Sequence, residues 1–176
     1  MANKSEKELK SKKNQIKKLT KEEIERLPFI TCYTDGSCSP KTHAGGWCAY
    51  MECCGKSVIL SGYEENTTIS RMEIIAVLEA LKAIKIKSHF EIFSDSQYVV
   101  NTIAKKWIYI WARSRWRTMT GKVANKDLWL EMLKLLQFHD VKIHWVRGHN
   151  GISGNELCNE VAKLNMQNLN NSLCKK

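Results

Sequence analysis

Past residue 28 the chain opens on three short runs rich in aromatic and β-branched residues. Phe29–Asp35, Gly45–Glu52 and Lys56–Tyr63 each read as a strand, and a turn at Cys54-Gly55 joins the last two into a meander. The pattern then changes period. Ile74, Val77, Leu78, Leu81 and Ile84 fall on one broad face, which predicts a helix from Arg71 to about Ile84. Ser70 is the expected N-cap, with Glu73 three positions on as its capping-box partner. Phe90–Ser94 is a short apolar run of the buried-strand type, and Ser96 opens a second helix to about Ala104. Residues 105–117 mix Lys, Arg and Trp without a clear period. Leu128, Met132, Leu135 and Leu136 mark an amphipathic helix over Lys126–Gln137. Val141–Val146 alternates as a strand, and Ser153 to about Leu169 forms a last helix.

The element order is βββαβααβα. A meander followed by β-α-β alternation predicts an α/β fold, a mixed five-stranded sheet flanked by helices. Right-handed crossover makes the fourth strand a parallel neighbour of the first. Asp35 and Asp95 then stand side by side towards the carboxyl ends of their strands, where open α/β sheets tend to place their sites.

Composition adds a partner class. The 176 residues carry 28 Lys and Arg against 18 Asp and Glu, a net charge of +10 with pI near 9.3. Such a balance favours a polyanion, nucleic acid or an acidic membrane surface. Residues 1–26 hold much of it with few apolar points, and read as a basic flexible arm. Leu27-Pro28 marks its boundary. Residues 27–170 form the expected folded unit and 171–176 a short tail. The seven cysteines form no C-x-x-C pair, which argues against a zinc ribbon or a secreted disulfide framework. No apolar run is long enough to span a bilayer, and the N-terminus lacks an apolar signal core. The expectation is an intracellular protein, cytoplasmic or nuclear, without a membrane partner and monomeric.

Three acids stand in chemically suggestive contexts: Asp35 before Gly36, Glu73 in Ser70-Arg71-Met72-Glu73, and Asp95 between two serines. Each alone has an ordinary reading, as a turn residue, a capping-box residue and a helix start. Brought together, like charges disfavour one another's ionisation, and a divalent cation supplies the compensation. Oxygen ligands with no His or Cys clustered nearby point to Mg2+ or Mn2+. Two such ions, roughly 3.5–4 Å apart, suit phosphodiester hydrolysis.

The stretches YTDGSC (33–38), TTISRMEIIAVLEAL (67–81), IFSDSQYVVN (92–101), WRTMTGKVANKDLW (116–129) and HWVRGHNGISGNELCNEVA (144–162) together resemble the type 1 ribonuclease H family. The resemblance implies an endoribonuclease that cuts the RNA strand of RNA/DNA hybrids with two Mg2+ ions, Mn2+ being a possible substitute. It implies 5′-phosphate and 3′-hydroxyl products. Asp35, Glu73 and Asp95 match three of the family's four acidic metal ligands, and His149 matches a loop histidine that assists turnover. Trp107, Trp111 and Trp116, interleaved with Arg113, Arg115 and Arg117, match a basic protrusion that grips the DNA strand, with at least one tryptophan expected in the core. Thr68 and Asn125 match positions that hold a DNA phosphate, with Arg71 close by. Ser70 and the backbone of Gly36, Ser37 and Cys38 are the candidates for contacting RNA, to be selected by its 2′-hydroxyl.

The chain departs from the family in two places. Its fourth acid falls on Asn159, which keeps a carbonyl oxygen but loses the charge. Three accounts stay open: a deliberate substitution that allows binding without cleavage, which the sequence reading favours; a native, tolerated ligand; or a naturally weakened binder. Lys41, Ile69 and Ser70 also replace the amides often found at those positions. The competing functions are a non-cleaving hybrid-binding protein of the same fold and the nuclease module of a reverse transcriptase. The Lys-rich arm starting at Met1 argues for an independent protein over the latter.

Overall fold

A computed structural model describes residues 27–148 and 150–173. The basic arm, His149 and residues 174–176 lie outside the described residues. Strands β1 (Phe29–Cys38), β2 (Gly45–Cys53) and β3 (Lys56–Glu64) form the expected antiparallel meander. They are followed by α1 (Ile69–Ala83), β4 (His89–Ser94), α2 (Gln97–Ala104) and α3 (Trp107–Arg113). A two-stranded hairpin, β5 (Arg117–Thr118) and β6 (Gly121–Lys122), precedes α4 (Lys126–Phe138), β7 (Asp140–Trp145) and α5 (Ser153–Leu173).

The five-stranded sheet has the order β3-β2-β1-β4-β7. β4 lies parallel to β1, and β7 parallel to β4. The mixed sheet and the β1–β4 pairing are as the sequence predicts. The α3 helix and the small hairpin are additional to that prediction. They arise where the backbone breaks at left-handed residues, Lys106 before α3 and Arg115-Trp116 after it. No apolar period signals such breaks. The last helix also runs beyond Leu169 and takes in part of the expected tail.

The two faces of the sheet are covered by different helices. Met72, Ile74, Val77, Leu78 and Leu81 of α1 are fully buried against the face that presents Ile30, Cys32 and Ile92. Burial of each such side chain contributes about 1.5–3 kcal/mol. Trp129 and Met132 of α4 join the same core. On the opposite face α5 crosses β1 and β2, where Cys48, Cys158 and Ala162 pack with Tyr33 and Tyr50. The Cys158 thiol donates to the Tyr33 carbonyl at 3.1 Å. A methyl added at Gly154 would strike the Tyr33 ring. α5 is therefore pinned two residues before Asp35. No described helix is long and apolar enough to cross a membrane.

Candidate functional site

Strand pairing carries two of the three acids to one place. The β1–β4 register ends at Thr34 opposite Ser94, so Asp35 and Asp95 are the next residues on adjacent parallel strands. Asp95 sits at the turn into α2. Trp145 Nε1 donates to its carbonyl oxygen at 3.0 Å, and the Ser96 hydroxyl caps the helix by accepting from Val99 N at 3.5 Å.

Glu73 arrives from α1. The N-cap of that helix is Thr68, whose hydroxyl accepts from Arg71 N at 3.3 Å, and not Ser70 as the sequence suggested. With the helix starting two residues earlier, Glu73 lies past the first turn and is buried. It takes no part in a capping box and is directed into the site. β1 and α1 touch where Glu73 emerges: a methyl at Gly36 would lie 2.5 Å from Glu73 N and 2.7 Å from Met72 C.

Asp35, Glu73 and Asp95 each offer an oxygen, and these oxygens lie within 4.8 Å of one another. Burial pushes the Asp35 carboxyl up to about 7, and Asp95 adds to the rise. The Gly36 N–H, 2.7 Å from Asp35 Oδ1, and the charge of Lys163 oppose it. Glu73 is held well above the usual carboxylate range, first by burial and then by Asp35 and Asp95. Its Oε2 is buried with no hydrogen-bond partner. An orphaned buried carboxylate oxygen beside two further carboxylates is what a hard cation needs, and the donor set fits Mg2+ or Mn2+ chemistry.

Asn159 follows Cys158 on α5 and is half-buried. Lys163, one turn further along, is the cation that acts on Asp35, and sequence reading did not single it out. Its i, i+4 spacing from Asn159 is the signal that was available. The loop after β7 also reaches the acids, since a methyl at Gly148 would lie 2.6 Å from Asp95 Oδ2. His149 is the next residue and lies outside the described residues.

The proposed nucleic-acid contacts divide. Thr68 is exposed at the start of α1. Asn125 is half-buried in the left-handed conformation before α4, with no side-chain cap. Arg71 ties those helix starts together: its Nη1 and Nη2 meet Asp127 at 3.1 and 2.7 Å, and its Nε meets Glu64 at 3.3 Å. Its guanidinium is thus paired on two sides while still partly exposed. Ser70, Ser37 and Cys38 are half-buried, and Cys38 donates to the Thr67 carbonyl at 3.5 Å. Arg113, Arg115 and Arg117 are exposed, as is Trp107, whose ring carries Lys105 Nζ at 5.4 Å. Trp111 is half-buried against Trp129. Trp116 is a core residue, and its flat faces pack inside the protein.

A family model described as RNase H matches residues 28–167. The ribonuclease H of Oleidesulfovibrio alaskensis is 46% identical over 135 residues, covering 76% of this chain and 88% of that protein. The ribonuclease H of Caldicellulosiruptor saccharolyticus is 42% identical over 135 residues, covering 76% and 93%. Among solved structures, LC9-RNase H1, described as a type 1 RNase H with the type 2 active-site motif, superposes with a TM-score of 0.72 at 29% identity. That match covers 81% of this chain and 74% of the other.

Proposed function

The chain belongs to the ribonuclease H family, and from that premise we propose that it hydrolyses the RNA strand of RNA/DNA hybrids at Asp35, Glu73, Asp95 and Asn159, with two Mg2+ ions. The observation that carries the reading is the convergence of three carboxylates within 4.8 Å, one of them with an orphaned buried oxygen. When bound, divalent ions at such a cluster supply an activated water and stabilise the leaving oxygen. The products are then a 5′-phosphate and a 3′-hydroxyl.

The chain's own groups hold and orient. Asp35 and Asp95, on adjacent parallel strands, present oxygens from one side, and Glu73 presents one from α1. Asn159 offers a neutral carbonyl oxygen, so the fully ionised site would carry three negative charges where four carboxylates would carry four. We read Asn159 as a working ligand of the enzyme rather than a disabling change. A type 1 relative with another type's active-site motif supports that reading, because it puts variation of the motif within the family. His149, next to the Gly148–Asp95 contact, assists turnover.

The exposed arginines around α3 and the small hairpin neutralise phosphates of the DNA strand, and Trp107 packs against its sugars or bases. Thr68 and Asn125 hold one phosphate between two helix starts. RNA is selected through its 2′-hydroxyl by the backbone and side chains of residues 36–38 and Ser70. Residues 1–26 act as a basic tether to a monomeric catalytic unit inside the cell.

The test is cleavage of a labelled hybrid in Mg2+ by this chain, Asn159→Asp and Asp35→Asn. The proposal expects this chain and Asn159→Asp to cut and Asp35→Asn to bind without cutting. Cleavage by Asn159→Asp alone makes this chain a hybrid-binding form of the enzyme. Undiminished cleavage by Asp35→Asn removes the site assignment.

A further inference from the structure

The hairpin between β2 and β3 carries an unusual pair of residues. Cys54 (φ 52°) and Gly55 (φ 73°) both lie in the left-handed region. They are the two central residues of a tight turn whose first place favours Asn, Asp or Gly. A cysteine there works against local preference, and such departures tend to occur at functional positions. The turn has a geometric consequence. Neighbouring side chains on an extended strand point to opposite faces. Here the left-handed backbone at Cys54 swings its thiol back, and the two Sγ atoms of Cys53 and Cys54 lie 3.5 Å apart.

Joining these thiols in a disulfide is strained. Adjacent Cα atoms across a trans peptide are about 3.8 Å apart, below the roughly 4.4 Å at which unstrained disulfides begin. One metal ion held by both is not strained. With metal–sulfur bonds of about 2.3 Å, two sulfurs about 120° apart on a three-coordinate centre stand about 4.0 Å from each other. A small side-chain rotation covers the difference.

The surroundings select the ion. Cys54 is exposed and Cys53 half-buried, and two open cavities of about 360 and 340 Å3 flank the pair. Lys56 lines both cavities beside the two cysteines. The nearest carboxylate in the strand, Glu52, accepts a 2.5 Å hydrogen bond from the Tyr50 hydroxyl. Among the described residues, no third cysteine, histidine or carboxylate completes a cluster here. Two sulfurs without a hard donor suit a soft ion of low coordination number and leave Zn2+ and Mg2+ short of ligands.

The geometry points to Cys53 and Cys54 as a two-thiolate site for monovalent copper, at the hairpin that closes β2 five residues beyond Cys48, the strand partner of Asp35. Binding releases the two thiol protons and forms two Cu–S bonds, with no change of oxidation state. An external thiol or water completes the coordination. The site stands independently of hybrid cleavage.

The test is titration of the full chain with monovalent copper under a non-thiol reductant, against a chromogenic copper(I) chelator. Cys53→Ser, Cys54→Asn and, as a control at a buried thiol, Cys48→Ser are run alongside. Asn tolerates the left-handed backbone, so Cys54→Asn keeps the turn. The unsubstituted chain and Cys48→Ser are expected to take one equivalent with a sulfur-to-copper absorption band. Cys53→Ser and Cys54→Asn should weaken that equivalent by about a hundredfold or more, because the second thiol acts intramolecularly. Unchanged hybrid cleavage by both variants is expected alongside. Retention of wild-type affinity by Cys54→Asn overturns the assignment, as does a copper equivalent lost only in Cys48→Ser.

Discussion

Gly36 lies so close to the backbone of Glu73 that a methyl group at position 36 would be 2.5 Å from the Glu73 nitrogen. This contact sets the separation of β1 from α1, and therefore of Asp35 from Glu73. The obstruction is backbone and the root of Met72, not the end of a flexible side chain. Gly36→Ala must push strand and helix apart. Overpacking of this kind costs about 1–3 kcal/mol of stability. The larger effect is on chemistry, since a displacement of about 1 Å can lower turnover a hundredfold. Kinetics of hybrid cleavage at a temperature where the variant remains folded should show kcat falling far more than KM rises. Wild-type kcat in a folded Gly36→Ala protein would mean that this spacing is not critical.

The three carboxylates also make a prediction about pH. Without metal, the Asp35 carboxyl is raised from 3.8 to about 7 in the folded chain. Between those values the folded state binds more protons than the unfolded state, so stability falls as pH rises. The stability is intact below about pH 4 and is lost as pH passes through 7. The full gap corresponds to at most about 4 kcal/mol. Glu73, also raised, acts in the same direction. Thermal melts in chelator from pH 4 to 8 should show this decline relative to Asp35→Asn, in which the Asp35 contribution is absent. Millimolar Mg2+ should then raise the melting temperature most above pH 7 and least near pH 4. Parallel pH profiles for the two proteins would show that Asp35 ionises without penalty.

A third prediction concerns the loop after β7. Gly148 fits against Asp95 because it lacks a side chain, and a methyl there would lie 2.6 Å from Oδ2. Gly148→Ala should displace the Asp95 carboxylate or the loop that leads to His149. We expect activity to fall about tenfold to a hundredfold and the Mg2+ concentration for half-maximal activity to rise, with little loss of stability. An unaltered Mg2+ dependence would show that the loop yields and Asp95 stays in place.

Much of this site was legible in the sequence because the sheet is built from local signals. Period and crossover rules sufficed to set Asp35 beside Asp95, and the register confirms that placement. Glu73 was found, but its context was misread. A capping box and a buried acid look alike in Ser70-Arg71-Met72-Glu73, and only the actual cap at Thr68 separates them. Arg71, which the resemblance places close to a DNA phosphate, also pairs with Asp127, 56 residues away, a partner that local sequence does not reveal. The close approaches at Gly36 and Gly148 were equally hidden, since they depend on distant backbone. The segment from Lys105 to Lys122 resisted reading because its turns rest on left-handed residues such as Lys106, Arg115 and Trp116, none of which favours that conformation by type.

That same segment supplies a contrast between two tryptophans. Trp107 is exposed, with Lys105 over its ring, whereas Trp116 is buried in the main core. Both sit among basic residues, so composition alone assigns them the same role. Trp107→Ala should leave the melting temperature nearly unchanged and weaken hybrid binding by about 1–3 kcal/mol through lost stacking. Trp116→Ala should destabilise the fold by about 3–5 kcal/mol, as large core truncations do. Its effect on binding should follow from unfolding and vanish when corrected for the folded fraction. Arg115→Ala and Arg117→Ala, on either side of Trp116, should each lower the slope of log affinity against log salt by a little under one, the signature of one lost phosphate contact. Melting curves and binding isotherms at several salt concentrations separate these cases. Strong loss of binding by a fully folded Trp116→Ala would place that ring at the nucleic-acid surface and overturn the division made by the structure.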